Sequence, residues 1–441
     1  MSRHLIASLA TTDALAGVFD DASMLALLLR VEVALVRVQA RLGIVPAKAA
    51  EVIATAAAEV TDAAGIARDA RESGTLAIPL VRALIARAGA RDADAARWVH
   101  FGLTSQDVVD TAMVLALQRA REPIARDHDR LRSSLRTLSG AHAQTLMLGR
   151  TLLQPALPTT FGYKVAGWYG VADRSGRAMV AAFDGACVVQ CGGAVGTLAS
   201  LGAQAEAVVS ALAAELGLNV PDAPWHAHRD RLAALVAACG VYVASLGKIA
   251  RDIVLLSQDE VGEVAERGGG SSTLPQKRNP AGSAIVLAAA DRLPGLVSSF
   301  LTSMVQEHER GAGGWHAEWP TLVAAVEATG AAAASAADAI GHLSVDVTRM
   351  RENVDRTRGV VCAERLMLLL VPSTGRERAA ELVGAAVAKA RATGVRFGAA
   401  AQSMPEIARV IDASTLETID RPEAYLGAAE QWRRALLTPS D

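Results

Sequence analysis

Apolar residues recur along this chain with a helical period, and the stretches that keep the period lengthen toward its middle. In the segment 23–43, SMLALLLRVEVALVRVQARLG, arginines return on one side of an apolar pattern that Gly43 and Pro46 stop, so it reads as an amphipathic helix. Similar stretches follow to about residue 96. After Thr104 the periodic segments run over 106–141, 155–185, 227–264, 277–305 and 315–344. Helices this long predict an extended bundle, with a kink or interruption at Pro123 in the first. From about residue 349 the pattern shortens and is broken by Gly359, Pro372, Gly375, Gly394 and Pro405. The expected fold is therefore all-α, with a helical N-terminal domain over 1–104, a long-helix bundle over 105–348 and a small helical domain over 349–441.

Composition agrees with helices. Hydrophobic residues make up 51% of the 441 while aromatics are 4%, so the apolar content is mostly Ala, Leu and Val, which suit close helix packing. The formal charge of −2 provides no global field for nucleic acid or an anionic membrane, so anion binding must be local. Cys187, Cys191, Cys239 and Cys362 form no zinc-type or CxxC spacing, and no basic region followed by an apolar stretch opens the chain, which predicts a reduced, cytoplasmic protein. The longest apolar run, 232–247, is bounded by Arg231 and Lys248 and is short of the roughly 20 residues that span a bilayer. Such a helix belongs in a large core or an oligomer interface.

Unusual residues collect in the connections, where scaffolds carry function. The first such region is Arg97-Trp98-Val99-His100-Phe101-Gly102-Leu103-Thr104-Ser105-Gln106-Asp107. Thr104 or Ser105 caps the helix that follows, or its exposed N–H groups seat an anion. His100 is either a packed, hydrogen-bonded residue or a catalytic one. The second region, Gly149-Arg150-Thr151-Leu152-Leu153-Gln154-Pro155-Ala156-Leu157-Pro158-Thr159-Thr160, places a cation and neutral hydrogen-bonding groups before a helix that Pro155 or Pro158 can start. Arg150 is a surface residue or a two-pronged carboxylate holder.

The third region, Gly268-Gly269-Gly270-Ser271-Ser272-Thr273-Leu274-Pro275-Gln276-Lys277-Arg278-Asn279-Pro280, sets three glycines before paired hydroxyls and a basic, amide-bearing segment. It reads as a closing loop that brings N–H and hydroxyl groups onto an anion and excludes water.

These regions, in this order, resemble the shared blocks of the fumarase/aspartase superfamily, and 270–279 matches its GSSxxPxKxN pattern at every fixed position. The resemblance implies three all-α domains, a homotetramer whose sites are shared between subunits, and action on a small polycarboxylate without metal or organic cofactor. It implies Ser271 as the proton-transfer residue, with His100 assisting or binding a carboxylate. Lys277 and Asn279 would hold substrate, Thr104, Ser105, Thr151 and Ser272 would supply hydroxyl contacts, and Arg150, Gln154, Gln190 and Arg310 would complete the substrate set.

Two departures narrow the family. Many of its lyases carry a histidine where this chain has Leu152 and a glutamate where it has Ala284, and there the two form a pair. Losing both implies that the pair's task is absent. The stretch ER-x-x-G-G-W-x-x-E-W over 309–319, and Val189-Gln190-Cys191-Gly192-Gly193-Ala194-Val195-Gly196-Thr197-Leu198, resemble the bacterial carboxymuconate cycloisomerases. Trp315 and Trp319, four apart, suit packing. In muconate lactonisation the nucleophile is the substrate's own ionised carboxylate, so no general base need activate it. The alternatives are a β-eliminating lyase of the adenylosuccinate type, a cycloisomerase for a sulfonated muconate, and a non-catalytic structural protein on the same scaffold, against which the intact serine segment argues.

Overall fold

A computed structural model describes residues 5–268, 270, 274 and 277–438. Helices of ten or more residues are numbered here. α1 (Asp21–Arg41), α2 (Ala47–Ala57), α3 (Ala63–Ser73) and α4 (Ala77–Gly89) come first. The Asp20 carboxylate caps α1 by accepting Ser23 N–H at 2.7 Å, and Gly74 ends α3 at φ 67°, a left-handed value that glycine adopts without strain.

The long helices are α5 (Ser105–Ala141), α6 (Phe161–Ala186), α8 (Asp230–Leu256), α9 (Ala281–Ser303) and α10 (Gly314–Gly341), with the shorter α7 (Ala205–Leu216) between the second and third. α5 runs through Pro123 without interruption, contrary to expectation. A proline removes one hydrogen bond and crowds the preceding turn at a cost of about 3 kcal/mol. Burial of Val108, Val109, Ala112, Val114, Leu115, Leu117, Ala120 and Ile124 along the same helix outweighs that cost.

The segment 155–185 is also corrected, because its first residues are a strand. β1 (Leu146–Thr151) and β2 (Gln154–Thr160) form an antiparallel hairpin, with Met147 opposite Thr159 and Leu148 opposite Pro158. Pro155 and Pro158 cannot donate to a ladder, and a two-stranded ribbon tolerates them. The helix start moves to Phe161, where Thr160 Oγ1 accepts Tyr163 N–H at 3.2 Å. A second short pairing sets β3 (Val264–Ala265) against β4 (Ser344–Val345), ahead of α11 (Val347–Arg356), α12 (Ala363–Thr374) and α13 (Arg376–Thr393).

The chain divides into two compact units, Met1–Asp129, Ser175–Gly247 and Ile285–Ser335 in the first, Arg130–Arg174, Lys248–Ala284 and Ala336–Asp441 in the second. The first is packed around fully buried Leu27, Leu35, Leu80, Leu84, Val114, Leu115 and Leu235. In the second, Leu366, Leu370, Leu382, Phe397, Ile407, Leu416 and Ile419 form one cluster.

The four cysteines are buried free thiols. α8, α9 and α10 are each long and apolar enough to cross a membrane by length and composition, α8 because its helix carries the apolar run 232–247 on to Leu256. The apolar stretches of α8 and α10 are 56% and 67% buried within the protein, whereas that of α9 is 22% buried and faces outward.

Candidate active site

In the first unit the site is organised by the start of α5. Thr104 precedes the helix, and the Asp107 side chain reaches back to its N–H at 3.1 Å, a capping arrangement that anchors the turn. The same carboxylate accepts Gln190 Nε2 at 3.0 Å, Gly192 N–H at 3.0 Å and Gly193 N–H at 2.8 Å. Burial pushes the Asp107 carboxyl above its ordinary range, and these donors oppose the push. Gln190 is itself consumed: its Oε1 accepts Trp225 N–H at 2.9 Å, and its backbone exchanges bonds with Thr111 Oγ1 at 2.9 and 3.0 Å. The hydroxyls of Thr104 and Ser105 have no hydrogen-bond partner among the described residues and stand half-buried at the helix start.

His100 sits in the left-handed region, φ 59°, with its Nδ1 2.6 Å from Glu32 Oε1. Gln39 Nε2 holds the next carbonyl, that of Phe101, at 2.7 Å, so the turn is pinned at the strained residue and just after it. Burial would lower the His100 pKa, but the Glu32 hydrogen bond and charge, with the Asp107 charge, outweigh it and raise it.

Arg310 is half-buried and gives its guanidinium to Gln106 Oε1 at 2.5 Å, to Ala194 O at 3.2 Å and to Gly193 O. Gly196 has φ 86°, and a Cβ there would lie 2.5 Å from His226 Cε1, so this position of the turn favours glycine. Beneath it lies a buried ion cluster. Arg229, stacked 4.8 Å over Trp225, donates to Asp110 at 2.7 and 3.1 Å and to Glu318 at 2.7 and 2.9 Å. Trp315 Nε1 donates to Asp110 Oδ1 at 2.9 Å, while its ring packs edge-on against Trp319 with centroids 4.7 Å apart.

In the second unit Arg150 holds a carboxylate with both Nη groups, and the carboxylate belongs to Glu263: Nη2 to Oε1 is 2.6 Å and Nη1 to Oε2 is 2.9 Å. Asn353 Nδ2 adds a bond to Oε1 at 2.8 Å. Glu266 accepts Gly282 and Ser283 N–H at 2.9 and 3.0 Å and caps α9. Both flanks of the serine segment are thus tied down. Lys277 is exposed with no carboxylate partner among the described residues, and Asn279 is half-buried. Thr151 and Gln154 are exposed beside Leu152 and Leu153, which form the hairpin turn at φ 49° and 65° and are 97% and 70% exposed. Ser271 and Ser272 lie outside the described residues.

A family profile described as "Lyase" matches residues 8–295, and one described as "Adenylosuccinate lyase C-terminus" matches 359–435. The chain belongs to this lyase family, within the fumarase/aspartase superfamily. The 3-carboxy-cis,cis-muconate cycloisomerase of Pseudomonas aeruginosa is 43% identical over 84% of this chain and 82% of that protein. The nitrosuccinate lyase of Streptomyces davaonensis is 39% identical over 82% of this chain and 79% of its own. The crystal structure of the 3-carboxy-cis,cis-muconate lactonizing enzyme from Pseudomonas putida superposes with a TM-score of 0.92 at 38% identity, covering 99% of this chain and 98% of that one. The all-α fold of the lyase family is the fold of this chain.

Within that lyase fold, the first unit gathers His100, Thr104, Ser105, Gln190 and Arg310, and the second carries Arg150, Thr151, Gln154, Lys277 and Asn279. Sequence reading missed the carboxylates that place them: Glu32, Asp107 and Asp110 in the first unit, Glu263 and Glu266 in the second. Asp107 stands inside the first motif, and Glu263 and Glu266 stand just ahead of the third, so proximity to a motif was their only signal.

Proposed function

We propose that this chain converts 3-carboxy-cis,cis-muconate to 4-carboxymuconolactone, as an intramolecular lyase without metal or organic cofactor. One observation carries the reading: the hairpin turn that bears a histidine in many lyases of the family bears Leu152 and Leu153, both exposed and both in left-handed backbone. An apolar turn can shield a reacting carbon from water, and it cannot act as general acid for a leaving group.

A substrate carboxylate oxygen attacks the conjugated alkene, forming the ring C–O bond and moving the electron pair onto the neighbouring carboxylate. Protonation at the carbon alpha to that carboxylate, by Ser271, forms the C–H bond; solvent returns the proton to Ser271. Lys277, Asn279 and Ser272, with the hydroxyls of Thr104, Ser105 and Thr151, bind the carboxylates and the developing charge. His100, whose charged form Glu32 favours, binds a carboxylate. Arg310 and Gln190 support the hydroxyl-bearing turn, and Arg150 anchors the serine segment through Glu263.

The outward apolar face of α9 supports assembly into a homotetramer whose sites are completed by other copies of the chain. In this reading the protein is cytoplasmic, and its 349–441 segment forms a small domain of its own beside an N-terminal domain over 1–104 and a central bundle.

The test is loss of the conjugated-diene absorbance of 3-carboxymuconate with the purified protein. Lactone should form, and Ser271→Ala should remove nearly all of kcat. A folded protein that leaves the diene unchanged between about pH 6 and 8 sinks the reading. The similarity to a nitrosuccinate lyase favours elimination as the second reading, and release of fumarate from succinyl substrates distinguishes it.

A further inference from the structure

A cavity of about 620 Å³ in the second unit is lined by Gln154, Arg356, Arg358, Arg391, Val360 and Val361, among others, and no carboxylate is among its lining residues. The acids just before Arg356 in the chain have arginine partners of their own: Asp355 pairs with Arg351 at 3.0 Å and Glu352 with Arg349 at 3.7 Å. Arg356 and Arg391 are exposed and have no ion-pair partner among the described residues. Like charges gathered in one concavity repel each other, and a bound anion relieves that repulsion.

Arg358 is built into place. Its backbone is left-handed at φ 51°, its carbonyl accepts Phe397 N–H at 2.9 Å, and its Nη1 donates to Gly394 O at 2.8 Å. Gly394 has φ 72°, and a Cβ there would come within 2.8 Å of that Nη1, so the glycine keeps room for the guanidinium. A strained residue aimed in this way is held by surrounding structure. The remaining walls, Val360, Val361 and Ala390, are apolar. We infer that the cavity is a second anion site, and that its ligand is a small organic polycarboxylate whose charges meet the arginines and whose carbon skeleton lies on the valines.

This assignment does not depend on the cycloisomerase reading. It is tested by calorimetric titration of the full-length protein with citrate, an unreactive tricarboxylate, and separately with inorganic phosphate, in wild type and in Arg356→Ala/Arg391→Ala. Both arginines are exposed, so the thermal midpoint should hold. Citrate affinity should fall about tenfold or more in the double variant, with phosphate weak in both proteins and kcat/KM for the diene unchanged. Equal citrate binding by the two proteins, or none by either, overturns the site. Loss confined to phosphate overturns the polycarboxylate assignment, and a parallel fall in kcat/KM overturns its independence from the reaction site. Should the protein form no lactone at all, the citrate comparison still decides the pocket.

Discussion

Arg150 and Glu263 meet as a two-pronged ion pair across 113 residues of sequence, with Glu263 fully buried and Arg150 22% exposed at its side chain. The arginine that motif reading assigns to a substrate carboxylate is engaged by a carboxylate of its own chain, immediately ahead of β3. Arg150→Gln should leave Glu263 buried with Asn353 alone and cost about 3–5 kcal/mol. Adding Glu263→Gln removes the stranded charge, so the double variant should be more stable than the sum of the singles by denaturant midpoint. Additive losses, with a raised KM for Arg150→Gln alone, would assign Arg150 to substrate instead.

The Asp110–Arg229–Glu318 cluster should respond in the same way and more severely. Arg229→Met strands two buried carboxylates and removes the stacking on Trp225, so unfolding should come at least about 3–5 kcal/mol earlier. Urea denaturation of the variant measures it; a loss below about 1 kcal/mol contradicts the cluster's role.

His100 provides the pH signature. Its folded pKa is raised, so its contribution to stability is complete below the unfolded value of about 6.5 and is lost as pH rises through the folded value. Activity that needs the charged imidazole falls over the same upper window. Glu32→Gln removes the charge that raises it, and the alkaline limb of kcat/KM should move to lower pH. An unmoved limb would remove His100 from substrate binding.

Gly196→Ala tests the tightness of the turn under Arg310. The added Cβ meets the His226 ring at 2.5 Å in a backbone at φ 86°. Left-handed strain of about 1–2 kcal/mol adds to that clash, and the thermal midpoint should drop by several degrees. An unchanged midpoint would show that the turn opens freely.

Much of this architecture is legible in the chain itself, because a helix repeats its environment every few residues and local spacing records it. That is why 106–141, 277–305 and 315–344 appear as helices close to their expected limits, whereas the helix expected over 227–264 ends at Leu256 and gives way to a turn and β3. The hairpin was not visible: Gln154-Pro155-Ala156-Leu157-Pro158 has the prolines of a helix start, and only pairing with Leu146–Thr151 makes it a strand.

The sequence by itself determined the class of the protein, through the helical period and the match of 270–279, and its departures at Leu152 and Ala284. The tertiary structure decided what each charged side chain answers to. Arg150 finds Glu263, Arg310 finds Gln106 and two carbonyls, Gln190 finds Asp107, and Arg358 finds a glycine carbonyl. Each of these bonds joins segments far apart in the chain, and burial, which gives an ion pair its strength and an unpaired charge its cost, exists only once those segments have packed.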